Sequence, residues 1–299
     1  MKLVLIGDIF FTYIILKFLK KNKNEVFVIS SRKKKLNSDS YNLKKFCKDS
    51  KIKFYETNDI NDYKTFQNIR NFYPDLILCI GFSKLLRGHI LKSYKNKILG
   101  YHPSNLPFNR GRHPIIWSVF LGLKFIYSSF FLIDKGIDSG KIISKEKFVN
   151  KKNYFANEVY KKLSTLATYQ LSNILAHYKK YKKLKIIRQR FNKKSVSNLW
   201  RKRNFEDGKI DWRMNKETII NLVRSLSHPY PGAHFLYKKK VIKVFRIQKT
   251  KFKKASPYLF EEPGKVVSIK NGISIKCADG YLKIKEILPK IKIKKGDYL

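Results

Sequence analysis

The stretch DLILCIG, Asp75 to Gly81, is apolar at every position from Leu76 to Ile80. A strand with one wet face alternates apolar and polar residues, whereas a parallel strand covered on both faces reads as an unbroken apolar run. KLVLIG (2–7) and EVFVIS (25–30) read the same way, and a helical pattern follows the first of them to about Lys21. IKFYE (52–56) and KILGY (97–101) are further strands, with helical spacing near 41–50 and in DYKTFQNIRNFY (62–73). PIIWSVFLGL (114–123) predicts a helix with proline in its first turn, SSFFLID (128–134) and KIISKEKF (141–148) two more strands, and 153–180 a long helix. Strands alternating with helices predict an α/β fold, a Rossmann-like, doubly wound and mostly parallel sheet over residues 1–182.

The chain then changes character. Residues 183–205 read as a basic linker, followed by the turn EDGKIDW (206–212) and an amphipathic helix. From Lys239 onward, short β-rich runs (VIKVFRIQ, GKVVSI, GISIKCA, GYLKIKEIL) are split by glycines and polar turns. That pattern predicts a small β-barrel-like (OB-like) C-terminal domain over 206–299.

Composition narrows the class. The 299 residues are 43% hydrophobic and 14% aromatic, enough apolar material for two cores. No apolar run reaches the ~20 residues needed to span a bilayer. The apolar N-terminus is broken by Gly7 and Asp8 and has no small-residue cleavage site behind it, unlike a signal peptide. Cys47, Cys79 and Cys277 show no metal-ligand spacing, and an odd, unpatterned count predicts reduced thiols in a cytoplasmic protein without a metal. Lys+Arg number 66 against 21 Asp+Glu, a formal charge of +45. Lysine is spread over the whole length beside abundant Asn, Ile, Tyr and Phe, which reads first as biased residue usage and second as a surface for polyanions. Either way the field favours an acidic partner, without choosing among nucleotide sugars, polyglutamylated folates and RNA.

In an open α/β sheet, ligands bind beyond the carboxyl ends of the strands. Three loops leave such ends here: GFSKLL (81–86), HPSNLPFNRGR (102–112) and DKGIDSG (134–140). His102 directly follows a strand, with Pro103 restricting its backbone, and Asp138 lies in a glycine-flanked loop able to return a carboxylate towards it. A histidine oriented by a carboxylate is the minimum equipment for acid–base work near neutral pH. Taken alone, a loop histidine and an aspartate in a turn are more often structural.

The run HPSNLPFNRGRHPIIW (102–117) followed by DKGIDSGKII (134–143) resembles the 10-formyltetrahydrofolate-dependent formyltransferase family, whose members formylate methionyl-tRNA, glycinamide ribonucleotide or amino sugars. The family signature is an Asn-x-His-x-Ser-x-Leu-Pro loop, an Arg-Gly, and an Asp-x-Gly thirty-six residues after the histidine. His102 and Asp138 match that spacing. EDGKIDW (206–212) and NLVRSLSHPYPGAH (221–234) resemble the longer members, so the likeness covers nearly the whole chain.

The resemblance implies acyl transfer, in which a substrate amine attacks the formyl carbon on the folate. It makes His102 the central catalytic group, Asp138 its orienting partner and Ser104 a contributor to loop or substrate geometry. It places the pterin against Lys84, Leu85 and Leu86, with Asp134 and Ile137 closing the other side. Asn105, Asn109, Arg110 and Arg112 are the candidate acceptor-binding residues; for the arginines, phosphate binding and a structural role stand level. His113 is expected to cap, Trp117 to pack in the core, and Trp212 and Tyr230 to anchor the domain junction.

One departure stands out. The family's catalytic Asn falls two residues before the histidine, and here that position is Gly100. Losing one oxyanion donor costs ~10²–10³ in turnover. Either Asn105 or Asn109 substitutes, or a backbone N–H or water approaches at Gly100, or the chain is weak or repurposed.

The acceptor read from the sequence is a nucleotide-linked amino sugar, with methionyl-tRNA as the close alternative and a non-catalytic folate- or RNA-binding module as the second. The tRNA enzymes' Phe-x-Gly-Thr-Pro-x-Phe is absent, the text here being IGDIFF (6–11). The basic loop SSRKKKLNSDS (30–40) falls where those enzymes carry a basic insertion. A β-rich tail with an exposed apolar face leaves a homodimer open.

Overall fold

The computed structural model describes residues 1–32, 39–189, 198–250 and 261–299; the basic loop at 33–38 and the middle of the linker, 190–197, lie outside the described residues. Contacts divide the chain into two compact units, one of residues 1–114, 125–148 and 161–201, the other of 115–124, 149–160 and 202–299.

In the first unit β1 (Lys2–Ile6) leads into α1 (Phe10–Lys21), which buries Phe11, Ile15, Leu16 and Leu19 at helical spacing. β2 (Glu25–Ser31), α2 (Leu43–Asp49), β3 (Lys53–Thr57) and α3 (Tyr63–Phe72) follow. The Asp62 carboxylate caps α3 by accepting from Thr65 N, and that bond with its neighbours holds its pKa below the usual range despite some burial. Next come β4 (Leu76–Cys79), α4 (Gly88–Ser93), β5 (Ile98–His102), the two-residue β6 (Arg110–Gly111) and α5 (Pro114–Phe120). β7 (Phe125–Leu132), β8 (Ile142–Val149), α6 (Ala156–Tyr181) and the two-residue β9 (Leu199–Trp200) follow in chain order, α5 and the start of α6 belonging to the second unit.

The sheet order is β3-β2-β1-β4-β5-β7-β8. β3 through β5 run parallel, in the order of a doubly wound sheet, and DLILCIG supplies β4 near its centre. Leu3 to Ile6 and Leu76 to Ile80 are almost fully buried, as their unbroken apolar runs predict. The chain leaves β1 in one direction and returns to β4 on the other side, so the switch point lies between them, with β5 next in line. β7 departs from the parallel pattern: it pairs antiparallel with β5, setting Gly100 against Phe131 and His102 against Ser129. It also begins at Phe125, three residues before the SSFFLID run.

The second unit carries α7 (Lys216–Leu226), capped by Asn215, and five strands: β10 (Ala233–Tyr237), β11 (Lys240–Thr250), β12 (Val266–Ser268), β13 (Ile273–Cys277) and β14 (Gly280–Leu288). They form one antiparallel sheet in the order β10-β11-β14-β13-β12. Ile219, Leu222 and Val223 of α7 join Trp212, Phe235, Val244, Ile275 and Leu282 in its core. Arg224 is buried among carbonyl acceptors; its guanidinium donates to Tyr154 O (2.7 Å), Lys151 O (2.9 Å), Asn221 Oδ1 (2.9 Å) and Asn150 Oδ1 (3.1 Å). Trp117 is stacked under the Arg203 guanidinium, 4.7 Å from its ring centre.

Candidate active site

His102 ends β5 at the carboxyl edge of the main sheet and is only 6% exposed. Each of its ring nitrogens meets an oxygen. Nε2 lies 3.1 Å from the Asn109 carbonyl and Nδ1 lies 3.5 Å from Asp138 Oδ2. A neutral imidazole has one N–H and donates to one of these at a time; a proton taken from a substrate completes the second contact. The Asp138 carboxylate is fixed in turn by Gly111 N, 3.1 Å from Oδ2. Asp138 and Asn109 both adopt left-handed backbone, φ 50° and 60°, which re-aims the two oxygens back at the ring. The pairing of positions 102 and 138, thirty-six residues apart, is therefore realised in space.

Other candidates sort differently. Ser104 is buried and its hydroxyl donates to Phe108 O at 3.2 Å, while its carbonyl accepts from Ser129 Oγ at 2.7 Å, so it shapes the loop. Asn105 Oδ1 accepts from Lys145 Nζ at 3.0 Å, and the same ammonium holds Leu106 O at 3.0 Å. Burial lowers the pKa of Lys145. Asn105 is thus engaged by Lys145 through its Oδ1, and Asn109 meets the ring through its backbone carbonyl.

Gly100 is not an open position either. A Cβ built there would stand 2.6 Å from Phe131 Cζ and 3.0 Å from Ile133 Cγ1. The Phe131 ring, reaching across from the paired strand, fills the space of a side chain at 100. This corrects the expectation that glycine makes room there for a water or a backbone donor.

In the loop after β4, Lys84 Nζ donates to Asn58 O at 2.7 Å, and Asn61 clamps the loop through Leu85 O (3.0 Å) and Arg87 N (2.7 Å). Leu86 is buried at 3%, but Leu85 and Ile137 leave large apolar side chains 42% and 44% exposed. Arg110 Nη1 reaches Ile137 O at 3.4 Å and Arg112 Nη1 reaches Ser83 O at 3.2 Å, so the two arginines tie the flanking loops together. Open apolar surface between tied loops suits the flat face of a pterin. Asp134 Oδ1 accepts from Gly136 N (3.0 Å) and Ser139 Oγ (2.7 Å) within its own turn.

One residue of this edge escaped the sequence reading. Asp8 follows β1 at the switch point, its carbonyl accepting from Tyr41 N and its N–H reaching Gly81 O. Burial, reinforced by Asp39 and opposed by Lys84, pushes its carboxyl up to about 6. No motif marks it; its only signal is a charge interrupting an apolar run. Among the described residues no group of His, Cys, Asp and Glu is placed to hold a metal ion, and the three cysteines are buried and free.

Comparison with known proteins settles the lineage. The model of the formyl transferase domain matches residues 1–175, and that of the formyl transferase C-terminal domain matches 203–297. The chain belongs to the formyl transferase family. Methionyl-tRNA formyltransferase of Finegoldia magna is 30% identical over 287 residues, 94% of this chain and 89% of that protein. The bifunctional polymyxin resistance protein ArnA of Wigglesworthia glossinidia brevipalpis is 30% identical over 247 residues, 81% of this chain and 35% of that longer protein. Among solved structures, the sugar 3N-formyl transferase WlaRD, determined with dTDP and 5-N-formyl-THF, superposes with a TM-score of 0.68 at 19% identity, covering 97% of this chain and 99% of that one. HypX of Aquifex aeolicus in complex with tetrahydrofolic acid has a TM-score of 0.69 at 17% identity over 95% of this chain, which spans 43% of HypX. At these identities the structural likeness establishes the fold of the formyltransferase.

Proposed function

We propose that this formyltransferase moves a formyl group from 10-formyltetrahydrofolate to the amine of methionyl-tRNA. The amine nitrogen bonds to the formyl carbon, the bond from that carbon to N10 of the folate breaks, and the proton lost by the amine ends on N10. His102 carries that proton, its ring held by the Asn109 carbonyl and by Asp138, which fixes the ring's orientation. Leu85, Leu86 and Ile137 offer the pterin its apolar walls, and Asp8 lies at the same edge. Water is kept from the imidazole, which is 6% exposed.

The observation that carries the acceptor is the end-to-end likeness to methionyl-tRNA formyltransferase, 30% identity over 94% of the chain. A formal charge of +45 supports it, because a polyanion is the acceptor such a surface attracts most strongly. The second reading is a nucleotide-linked amino sugar. The text IGDIFF in place of the tRNA enzymes' N-terminal motif favours it, as does the wording of the loop from His102 to Trp117. Incubating the protein with 10-formyltetrahydrofolate and either methionyl-tRNA or nucleotide-linked 4-amino sugars separates the two. Formyl-methionyl-tRNA as the product is the expected result; transfer to the sugar alone reverses the assignment.

A further inference from the structure

The chain that follows α6 returns to the His102 site twice. Ile187 exchanges both backbone hydrogen bonds with Ile142, at 2.8 and 2.7 Å. Two residues on, Gln189 Nε2 donates to the carbonyls of Asp138 (3.1 Å) and Gly140 (2.6 Å). Further along, Asn198 Oδ1 accepts from Asn109 N at 2.9 Å. β9 then pairs with β6, Leu199 beside Arg110 and Trp200 beside Gly111, and Trp200 O accepts from Arg112 N at 2.9 Å. Gly111 records how close this approach is. Its φ is +102°, and a Cβ there would meet Trp200 O at 2.5 Å.

These contacts fall on a particular pair of residues. Asn109 supplies the oxygen facing Nε2 of His102 and Asp138 the oxygen facing Nδ1. Both stand in left-handed conformations, which Asn and Asp enter more readily than other non-glycine residues, and in them the two oxygens face the ring. One segment outside both loops grips both residues, through Gln189 at one and Asn198 at the other.

We infer that Gln189 and Asn198 are positioning residues for formyl transfer: they brace the Asp138 and Asn109 loops so that the imidazole keeps an oxygen on each nitrogen. The inference rests on reading His102 and Asp138 as the catalytic pair. Misplacing an orienting group by about 1 Å costs on the order of 10²-fold in rate, with little effect on binding remote from it.

The test uses the full chain with Gln189→Met, which keeps the side-chain length and removes both donors. With 10-formyltetrahydrofolate and methionyl-tRNA, kcat is expected to fall about 10–100-fold while KM for the folate stays within about twofold. Hydrogen exchange, read without any acceptor, is expected to quicken at Gly111 N–H, whose partner is Asp138 Oδ2, and to stay unchanged in β5. Gln189→Lys, which restores a donor at similar reach, recovers most of the loss. Asn198→Ala, at an exposed position, gives the same split through Asn109 and serves where Gln189→Met does not fold. Unchanged kcat with unchanged exchange at Gly111 overturns the brace, as does a loss of activity that only tracks a lower melting temperature. A His102→Ala variant at full speed overturns the site reading itself; a slow His102→Ala beside a fast Gln189→Met overturns the brace alone.

Discussion

Gly100 and Phe131 face each other across the β5–β7 ladder, and the ring occupies what a side chain at 100 would need. On the proposed mechanism, that glycine and its filler change what the site offers to a developing oxyanion. No side-chain amide stands two residues before His102, and the nearby Asn105 is held by Lys145. Restoring an amide therefore takes two changes. Gly100→Asn alone forces its Cβ into the ring and is expected to lower the melting temperature without raising kcat, since overpacking costs about 1–3 kcal/mol. Gly100→Asn with Phe131→Ala gives the amide room, and kcat is expected to rise at least about tenfold, part of the ~10²–10³ an oxyanion donor supplies. Steady-state rates on the two variants decide it: a double variant no faster than wild type shows that the donor is not what limits turnover. The sequence shows the glycine but not the ring, because the partner is thirty-one residues away on a strand whose antiparallel pairing no local pattern reveals.

At the level of elements, the turn from β1 into α1 stores a pH-sensitive charge. Asp8 holds its proton up to about 6 in the fold, against an ordinary 3.8, chiefly because burial disfavours the carboxylate. The folded state thus binds this proton more tightly than the unfolded one. Stability falls as pH rises from about 4 to about 6 and the loss is complete above that. Asp8→Asn mimics the protonated form, so its melting temperature is expected to exceed wild type at pH 7.5 and to match it below pH 4. Melting curves across that range check the sign; equal curves at every pH contradict it. The elements themselves were largely legible. Apolar runs at 2–7, 25–30 and 75–81 name three buried strands, and the 3.6-residue stripes name α1, α3 and α7. What periodicity missed was short or non-local: the six residues of α4 and the two-residue β6 and β9 carry too few positions for a period, and β10 starts directly out of the turn HPYPGAH. β6 and β9 exist only because they meet each other, and the hydrogen bonds of Gln189 and Asn198 to the 138 and 109 loops are likewise invisible along the chain. The His102–Asp138 pair was legible because the loop text around it is distinctive, whereas Asp8 belongs to no motif.

Over the whole molecule, 66 basic residues outnumber 21 acidic ones, a formal charge of +45, so like-charge repulsion outweighs attraction. Self-repulsion of this size weakens the folded state and is screened by salt, with a Debye length near 10 Å at 0.1 M. The melting temperature is therefore expected to rise between about 20 and 300 mM salt. Binding of methionyl-tRNA moves the opposite way, because each neutralised phosphate releases counterions; with six such contacts affinity falls about 10³-fold between 50 and 200 mM salt. Opposed salt responses of stability and acceptor binding, read by calorimetry and filter binding, distinguish a charge that serves RNA from one that merely accompanies residue usage. A flat binding curve assigns the charge to composition alone.

Within this family of formyltransferases, the chemistry proposed for this chain turns on an imidazole and a carboxylate 3.5 Å apart at the end of β5. Single-turnover formyl transfer by His102→Ala, with 10-formyltetrahydrofolate bound beforehand and its affinity measured alongside, tests that most directly. The expected result is a rate lower by about 10²–10⁴ with folate affinity unchanged. Transfer at the wild-type rate by the variant would contradict it.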